Sequence, residues 1–386
     1  MVIARAVWIV CALTLVVPPW SSAQAPVKTP QAPVKTTQAG WTLGPFSRPA
    51  DAPVISPKPQ SIFTDPITGK SVHWEALHTF NPAAIVRDGR IYVLYRAEDD
   101  SGPKMIGGHT SRLGLAESED GIHFKRLPIP VFYPDHDSQQ ENEVPGGVED
   151  PRIVEREDGL YVLTYTQWAR DRDVYTVGVA TSRDLRTWSK QGKAFGSEGR
   201  YAALKYKSAA ILTHRVGDRL IAAKVKGKYW MYWGEIQIRL ATSTDLIHWT
   251  PVEDASGNPV ELLKDRPGLF DSAFPESGPP PLLTAKGVVM LYNAKNSEKG
   301  GDPKLAPGTY SVGQALFSAD DPGHRVARTD EPVFKPERPY ERSGQYVAGT
   351  TFAEGLVLFK HRLYLYYGCA DSHVGVATAP EPEAVQ

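Results

Sequence analysis

Two cysteines, Cys11 and Cys369, are too few for a disulfide framework in a chain of 386 residues, so stability must come from packing. No charge of one sign predominates: 43 Lys and Arg face 44 Asp and Glu, a formal net charge of −1, which argues against nucleic acid as a partner. There is no His pair at i and i+4, no Cys cluster and no Gly-rich phosphate loop. Metal, NAD and nucleotide chemistry are therefore unsupported, and no cofactor is expected. An Asn-x-Ser/Thr acceptor is also missing. The apolar run Ala6–Val17 falls short of the ~20 residues that a spanning helix needs.

That run follows a single basic residue, Arg5, and precedes small residues at Ser21 and Ala23. The pattern predicts an export signal peptide over residues 1–23, cleaved after Ala23, with no membrane insertion afterwards. The expected location is periplasmic or extracellular. Gln24-Ala25-Pro26-Val27-Lys28-Thr29 returns as Gln31-Ala32-Pro33-Val34-Lys35-Thr36, a Pro-rich repeat that cannot repay its ordering entropy. Residues 24–40 are read as a linker and residues 41–386 as one folded domain. Cleavage would leave Cys369 unpaired, and such a thiol is expected to be buried.

What the chain does have is turns and rings: 33 Gly, 33 Pro, 9 Trp and 17 Tyr, favouring β-structure and supplying flat apolar faces on which sugars stack. It also repeats. Ala116-Glu117-Ser118-Glu119-Asp120 recurs as Ala180-Thr181-Ser182-Arg183-Asp184 and Ala241-Thr242-Ser243-Thr244-Asp245, and more weakly at Ala315 and Ala377, at spacings of 64, 61, 74 and 62 residues. Upstream of each copy lies a hairpin signal, with turns at Asp88-Gly89, Asp158-Gly159, Gly217-Asp218, Lys286-Gly287 and Lys360-His361. The second strands, such as Val288–Tyr292 and Leu363–Tyr367, are apolar on both faces, as strands buried on both sides must be. Repeated four-stranded sheets stacked face to face predict an all-β, five-bladed β-propeller, with the segment Trp41–Pro45 supplying a missing outer strand. A β-sandwich would not explain the fivefold return of the motif.

Ligands of such a fold gather where the innermost strands begin. Those starts carry Asn81, Asp150, Lys207 and Glu276, polar groups of different kinds at equivalent positions. Packing alone would make them alike; a site assembled from several repeats would not. Asn and Asp before Pro also cap turns, and Lys207 would serve equally as a solvated loop residue. Glu235 closes the aromatic run Tyr229–Trp233-Gly234-Glu235, which suggests a sugar subsite. Arg152 shares a strand face with Asp150, so it is expected to depress that carboxyl unless Pro151 bends the strand.

Gly147-Val148-Glu149-Asp150-Pro151-Arg152-Ile153, with Phe80–Ala83, Leu94–Glu98, Ser111–Ala116 and Tyr366–Asp371, resembles glycoside hydrolase family 130 over nearly all of residues 41–378. The resemblance implies a five-bladed propeller acting on β-mannoside oligosaccharides. It implies a general-acid role for Asp150, relayed through a hydroxyl of the bound mannose, and sugar contacts from Asn81, Arg96, Arg112, Lys207 and Asp371. Glu235 and Glu276 look like the glutamates of the family's β-1,2-mannosidase branch. A phosphorylase needs cations beside the anomeric carbon, whereas an inverting hydrolase needs a carboxylate to activate water. The expectation is an exported, inverting β-1,2-mannosidase, with Asp150 donating and either Glu235 or Glu276 serving as base. A β-mannoside phosphorylase and a non-catalytic mannan-binding propeller are the competing readings. The sequence carries no signal for oligomeric state.

Overall fold

The computed structural model describes residues 40–103 and 105–383; the expected signal peptide and linker, Gly40 excepted, lie outside the described residues. Among the described residues the only α-helix is the single turn Gln140–Glu143, and no helix is long and apolar enough to cross a membrane. The rest is β-structure and turns.

Antiparallel groups follow one another along the chain. The first runs through His78–Arg87, Arg90–Glu98, Ser111–Ser118 and Lys125–Arg126, the second through Gly147–Glu155, Tyr161–Ala169, Val174–Ser182 and Ser189–Lys193. The third is built on Ala209–Ile211, Lys228–Trp233, Ile238–Ser243 and Thr250–Pro251. The fourth uses Phe274–Ser277, Gly287–Lys295, Tyr310–Phe317 and Arg325–Arg328, and the last Thr351–Phe359, Arg362–Cys369 and His373–Pro380.

Strand alternation sends successive side chains to opposite faces, and here both faces are buried. Val288, Met290 and Tyr292 enter a cluster shared with the third group, while Val289 and Leu291 enter one shared with the last group. Comparable clusters join the first group to the second and the second to the third. One more joins the last to the first, through Val357, Phe359, Tyr364 and Tyr366 against Ala84, Val86, Ile91 and Val93. Cys369 is buried and unpaired.

The repeated motif proves to be a turn. Ser118, Ser182 and Ser243 each donate from Oγ to the Asp two residues on, at 3.0–3.1 Å, and that Asp accepts backbone N–H groups two and three residues further along. The predicted hairpin turns also form; Asp88-Gly89 has φ of 49° and 70°, and Lys360-His361 reaches 48° and 58° without any glycine.

Two expectations are corrected. In the third group Leu220–Ala222 does pair with Thr213–Arg215, but the strand that meets Ala209–Ile211 is the aromatic one, Lys228–Trp233, after an inserted hairpin. At the N-terminal end no strand forms over Trp41–Pro45; single bridges Ser47–Thr378 and Ile55–Val374 edge the last group instead. Pro45, Pro49 and Pro53 lack the N–H groups that a continuous ladder requires.

A second repeated device stiffens the groups. Tyr95, Tyr165, Tyr292 and Tyr367 donate from their hydroxyls to the buried carboxylates of Glu75, Glu143, Asp271 and Glu341 at 2.7–2.9 Å. Arg126, Lys190, Arg328 and Arg48 pair with those same carboxylates. Each ring lies on a glycine directly across the ladder, at Gly114, Gly178, Gly313 and Gly375. A Cβ at Gly313 would stand 2.4 Å from Tyr292 Cζ. Gly313→Ala is therefore expected to lower unfolding stability by roughly 1–3 kcal/mol through overpacking, read as a lower denaturant midpoint with an unchanged slope.

Candidate active site

The innermost strands do not run smoothly into the centre. The first bulges at Asn81, the second at Asp150-Pro151 and the last at Glu354. Asn81 and Asp150 adopt φ of 44° and 47°, a left-handed region that Asn and Asp tolerate better than other side-chain-bearing residues. The ladder slips at each bulge and resumes beyond it, so both side chains turn into one cavity. Gly368 makes room for this: a Cβ there would lie 2.2 Å from Asn81 Oδ1.

The cavity, about 270 Å³, is lined by Asn81, Arg96, Asp150, Lys207, Glu235, Glu276 and Asp371, all seven anticipated from sequence. Arg112 is not among them. Its guanidinium is buried between Asp65 and Asp99, at 2.6 and 2.7 Å, so the expected sugar contact is replaced by a structural ion triad. Residues that sequence reasoning missed include Glu98, Glu149, Tyr175, Tyr310 and Tyr346. Glu149 stood inside the Glu-Asp-Pro-Arg segment and was passed over. The tyrosines carried no signal, because loops and strands distant in sequence deliver them.

Two cations organise the charges. Arg96 donates to Glu98 at 2.7 Å, Glu149 at 2.8 Å and Asp150 at 3.1 Å, and its Nε donates to Ser111 Oγ at 2.9 Å. Asn81 Nδ2 adds a bond to Asp150 Oδ1 at 2.8 Å. Lys207 lies 3.3 Å from Glu235 and 3.8 Å from Glu276, while Ser208 donates to Glu276. Burial favours a neutral Lys207, yet Glu276, Glu235 and Asp150 raise its pKa well above the ordinary value.

The carboxyls are driven apart by the same field. Burial pulls Asp150 upward, but Arg96, then Lys207 and Arg152, outweigh it and hold the group at about 2. The depression foreseen from Arg152 is present but third among the cations. Its guanidinium hooks the Asp150 backbone carbonyl, at 2.9 Å. Burial and the charges of Asp150 and Glu98 push Asp371 up to about 7, and burial with Asp150 pushes Glu149 up as well. Glu276 is raised by burial and by Glu235.

Six carboxylates, two cations and a border of tyrosines suit a neutral, polyhydroxylated ligand better than an anion. The comparisons agree in class. Residues 54–386 match glycoside hydrolase family 130, described as β-1,4-mannooligosaccharide phosphorylase. A 1,2-β-oligomannan phosphorylase of Thermoanaerobacter sp. is 32% identical, covering 86% of this chain and 95% of its own. A solved glycosyl hydrolase from Bacteroides ovatus is 50% identical with a TM-score of 0.85, covering 90% of this chain and 98% of its own. Another solved structure, from work on family 130 glycoside hydrolases that target β-1,2 mannosidic linkages in Candida mannan, is 50% identical with a TM-score of 0.86, over 90% of this chain and 97% of its own. The chain belongs to glycoside hydrolase family 130, a family of enzymes.

An Asp held protonated to about 7 in the fold, against ~3.9 unfolded, keeps a proton that the unfolded chain has already lost. Its contribution to stability therefore falls as pH rises from about 4 to about 7 and is level beyond. Asp371→Asn removes that contribution. Melting temperatures across pH 4.5–8 are expected to shift in the variant's favour as pH rises; a pH-independent difference would refute the assignment.

Proposed function

We propose that this protein is an exported β-1,2-mannosidase that hydrolyses β-mannosides by single displacement with inversion. The proposal includes a five-bladed propeller. The clusters between consecutive strand groups, with one joining last to first, support that count. Residues 1–23 are proposed as its signal peptide, residues 24–40 as a linker and residues 41–386 as the catalytic domain.

One observation carries the choice of nucleophile. Beside Lys207, at 3.3 and 3.8 Å, stand Glu235 and Glu276, and the cavity's other cation, Arg96, is committed to Glu98, Glu149 and Asp150. A phosphate dianion would meet net negative charge, whereas water is indifferent to it and gains a base. The name of the Thermoanaerobacter relative favours phosphorolysis, and the solved β-1,2-mannoside hydrolase structure favours hydrolysis at higher identity.

In the proposed reaction Glu235 or Glu276 takes a proton from water as its oxygen attacks the anomeric carbon. The glycosidic oxygen leaves with a proton from a mannose hydroxyl, which Asp150 replaces. Asp150 is ionised in the empty cavity, so binding must load it. Displacing water with a neutral sugar adds to the desolvation that raises its proton affinity, and the neighbours Glu149 and Asp371 hold protons near neutrality.

Incubation with β-1,2-mannobiose, with and without phosphate, is expected to release mannose in both cases; mannose 1-phosphate would overturn the proposal. Asp150→Asn is expected to lose roughly 10²–10⁴-fold in turnover with binding kept, whereas a non-catalytic mannan-binding propeller would show no turnover to lose. Binding of a thio-linked mannobioside at pH 7 should take up a proton. Calorimetric enthalpies would then vary with buffer ionisation heat in the parent and not in Asp150→Asn.

A further inference from the structure

The tyrosine–glycine device described for the first, second, fourth and last strand groups is broken in the third. Trp233 stands where the others place tyrosine, and the residue across the ladder is Arg239 rather than glycine. In the other groups a Cβ at the glycine would meet the ring at 2.4–2.6 Å, so ring and side chain exclude each other. Here both are present, with the Arg239 guanidinium 5.5 Å from the centroid of the Trp233 ring. No buried carboxylate anchors the ring, and Trp233 Nε1 is buried without a hydrogen-bond partner. A cavity of about 860 Å³ opens at this place, lined by Trp233, Arg239, Tyr201, Tyr206 and Glu261, and sharing Tyr175 and Glu235 with the reaction cavity.

Its chemistry points to one kind of ligand. Its four cations are already paired: Arg200 with Glu253 at 3.3 Å, Lys205 with Asp173 at 2.7 Å, and both Arg239 and Lys264 with Glu261, at 3.6 and 2.5 Å. An anion would have to compete with those carboxylates. The half-buried rings of Tyr175 and Tyr201, beside charge-paired donors and acceptors, instead match a pyranose, whose C–H face stacks while its hydroxyls bridge the pairs. Glu235 and Tyr175 border both cavities, so the second cavity adjoins the first.

We infer that this cavity is a second sugar subsite, taking mannosyl units of the same β-mannoside chain beyond those held in the reaction cavity. The inference rests on the mannoside reading above. It makes the enzyme selective for oligosaccharides over disaccharides.

The test uses the full chain carrying Asp150→Asn, titrated calorimetrically with β-1,2-mannobiose and β-1,2-mannotetraose. The tetraose is expected to bind about tenfold tighter, about 1.4 kcal/mol. Tyr201→Ala, at a partly exposed loop position, and Arg239→Ala are each expected to weaken tetraose binding about tenfold more than biose binding, with melting temperature recording that the fold is kept. Equal affinity for the two sugars, or a tetraose advantage that survives both substitutions, overturns the subsite while leaving the mannosidase reading intact. Failure of both sugars to bind overturns both.

Discussion

The guanidinium of Arg152 lies almost wholly out of water at the centre of the protein, donating to the backbone carbonyls of Asp150 at 2.9 Å, Ser277 at 2.7 Å and Gly278 at 3.3 Å. Glu354, also buried, stands 3.0 Å away, its carboxyl pushed well up by burial against the pull of Arg152. Three inner strands, from the second, fourth and last groups, are thus fastened to one planar cation. A buried guanidinium deprived of these acceptors would be an unsatisfied charge out of water, so the contact is hard to dispense with. Its position matters as much as its strength. It grips the chain at Asp150 itself and at the residue after Glu276, so the gap between these two carboxylates is set by backbone anchored on both sides.

Around that anchor, charge is distributed in two sets that act differently. Arg96 faces three carboxylates and lets one of them, Asp150, stay ionised while Glu149 holds its proton more tightly. Lys207 faces Glu235 and Glu276 and is itself kept charged by them. Arg96 is fully committed to its carboxylates, while Lys207 stands 3.3 and 3.8 Å from its two glutamates. The cavity is consequently one in which protons are the exchangeable charges, which suits acid–base chemistry on a neutral substrate.

Much of this was legible in the chain, and the misreadings are informative. The Ala-x-Ser-x-Asp repeat marked the strand groups because a Ser–Asp turn needs those two side chains at that spacing wherever it occurs. The inner-strand starts were found because the repeat defined equivalent positions, and Asn81, Asp150, Lys207 and Glu276 broke the equivalence. Arg112 misled because its neighbours Asp65 and Asp99 lie 47 and 13 residues away in sequence, and nothing local signals that they will claim it. The glycine two residues before each motif alanine, at Gly114, Gly178, Gly313 and Gly375, was readable but unread, as was its replacement by Arg239. That single departure marks the larger cavity.

By itself the sequence determined the class of structure, the repeat and the inner-strand side chains Asn81, Asp150, Lys207 and Glu276, because strand alternation, turn chemistry and repeat spacing are local properties; Arg96 and Asp371 came from the family resemblance. Tertiary structure alone decided which charges meet. Whether Asp150 is ionised, whether Asp371 keeps a proton and whether Arg112 is free depend on partners brought within about 3 Å by packing of groups distant along the chain. Coulomb interactions in a buried cavity depend on those distances and on exclusion of water, and neither is written in any local stretch of residues.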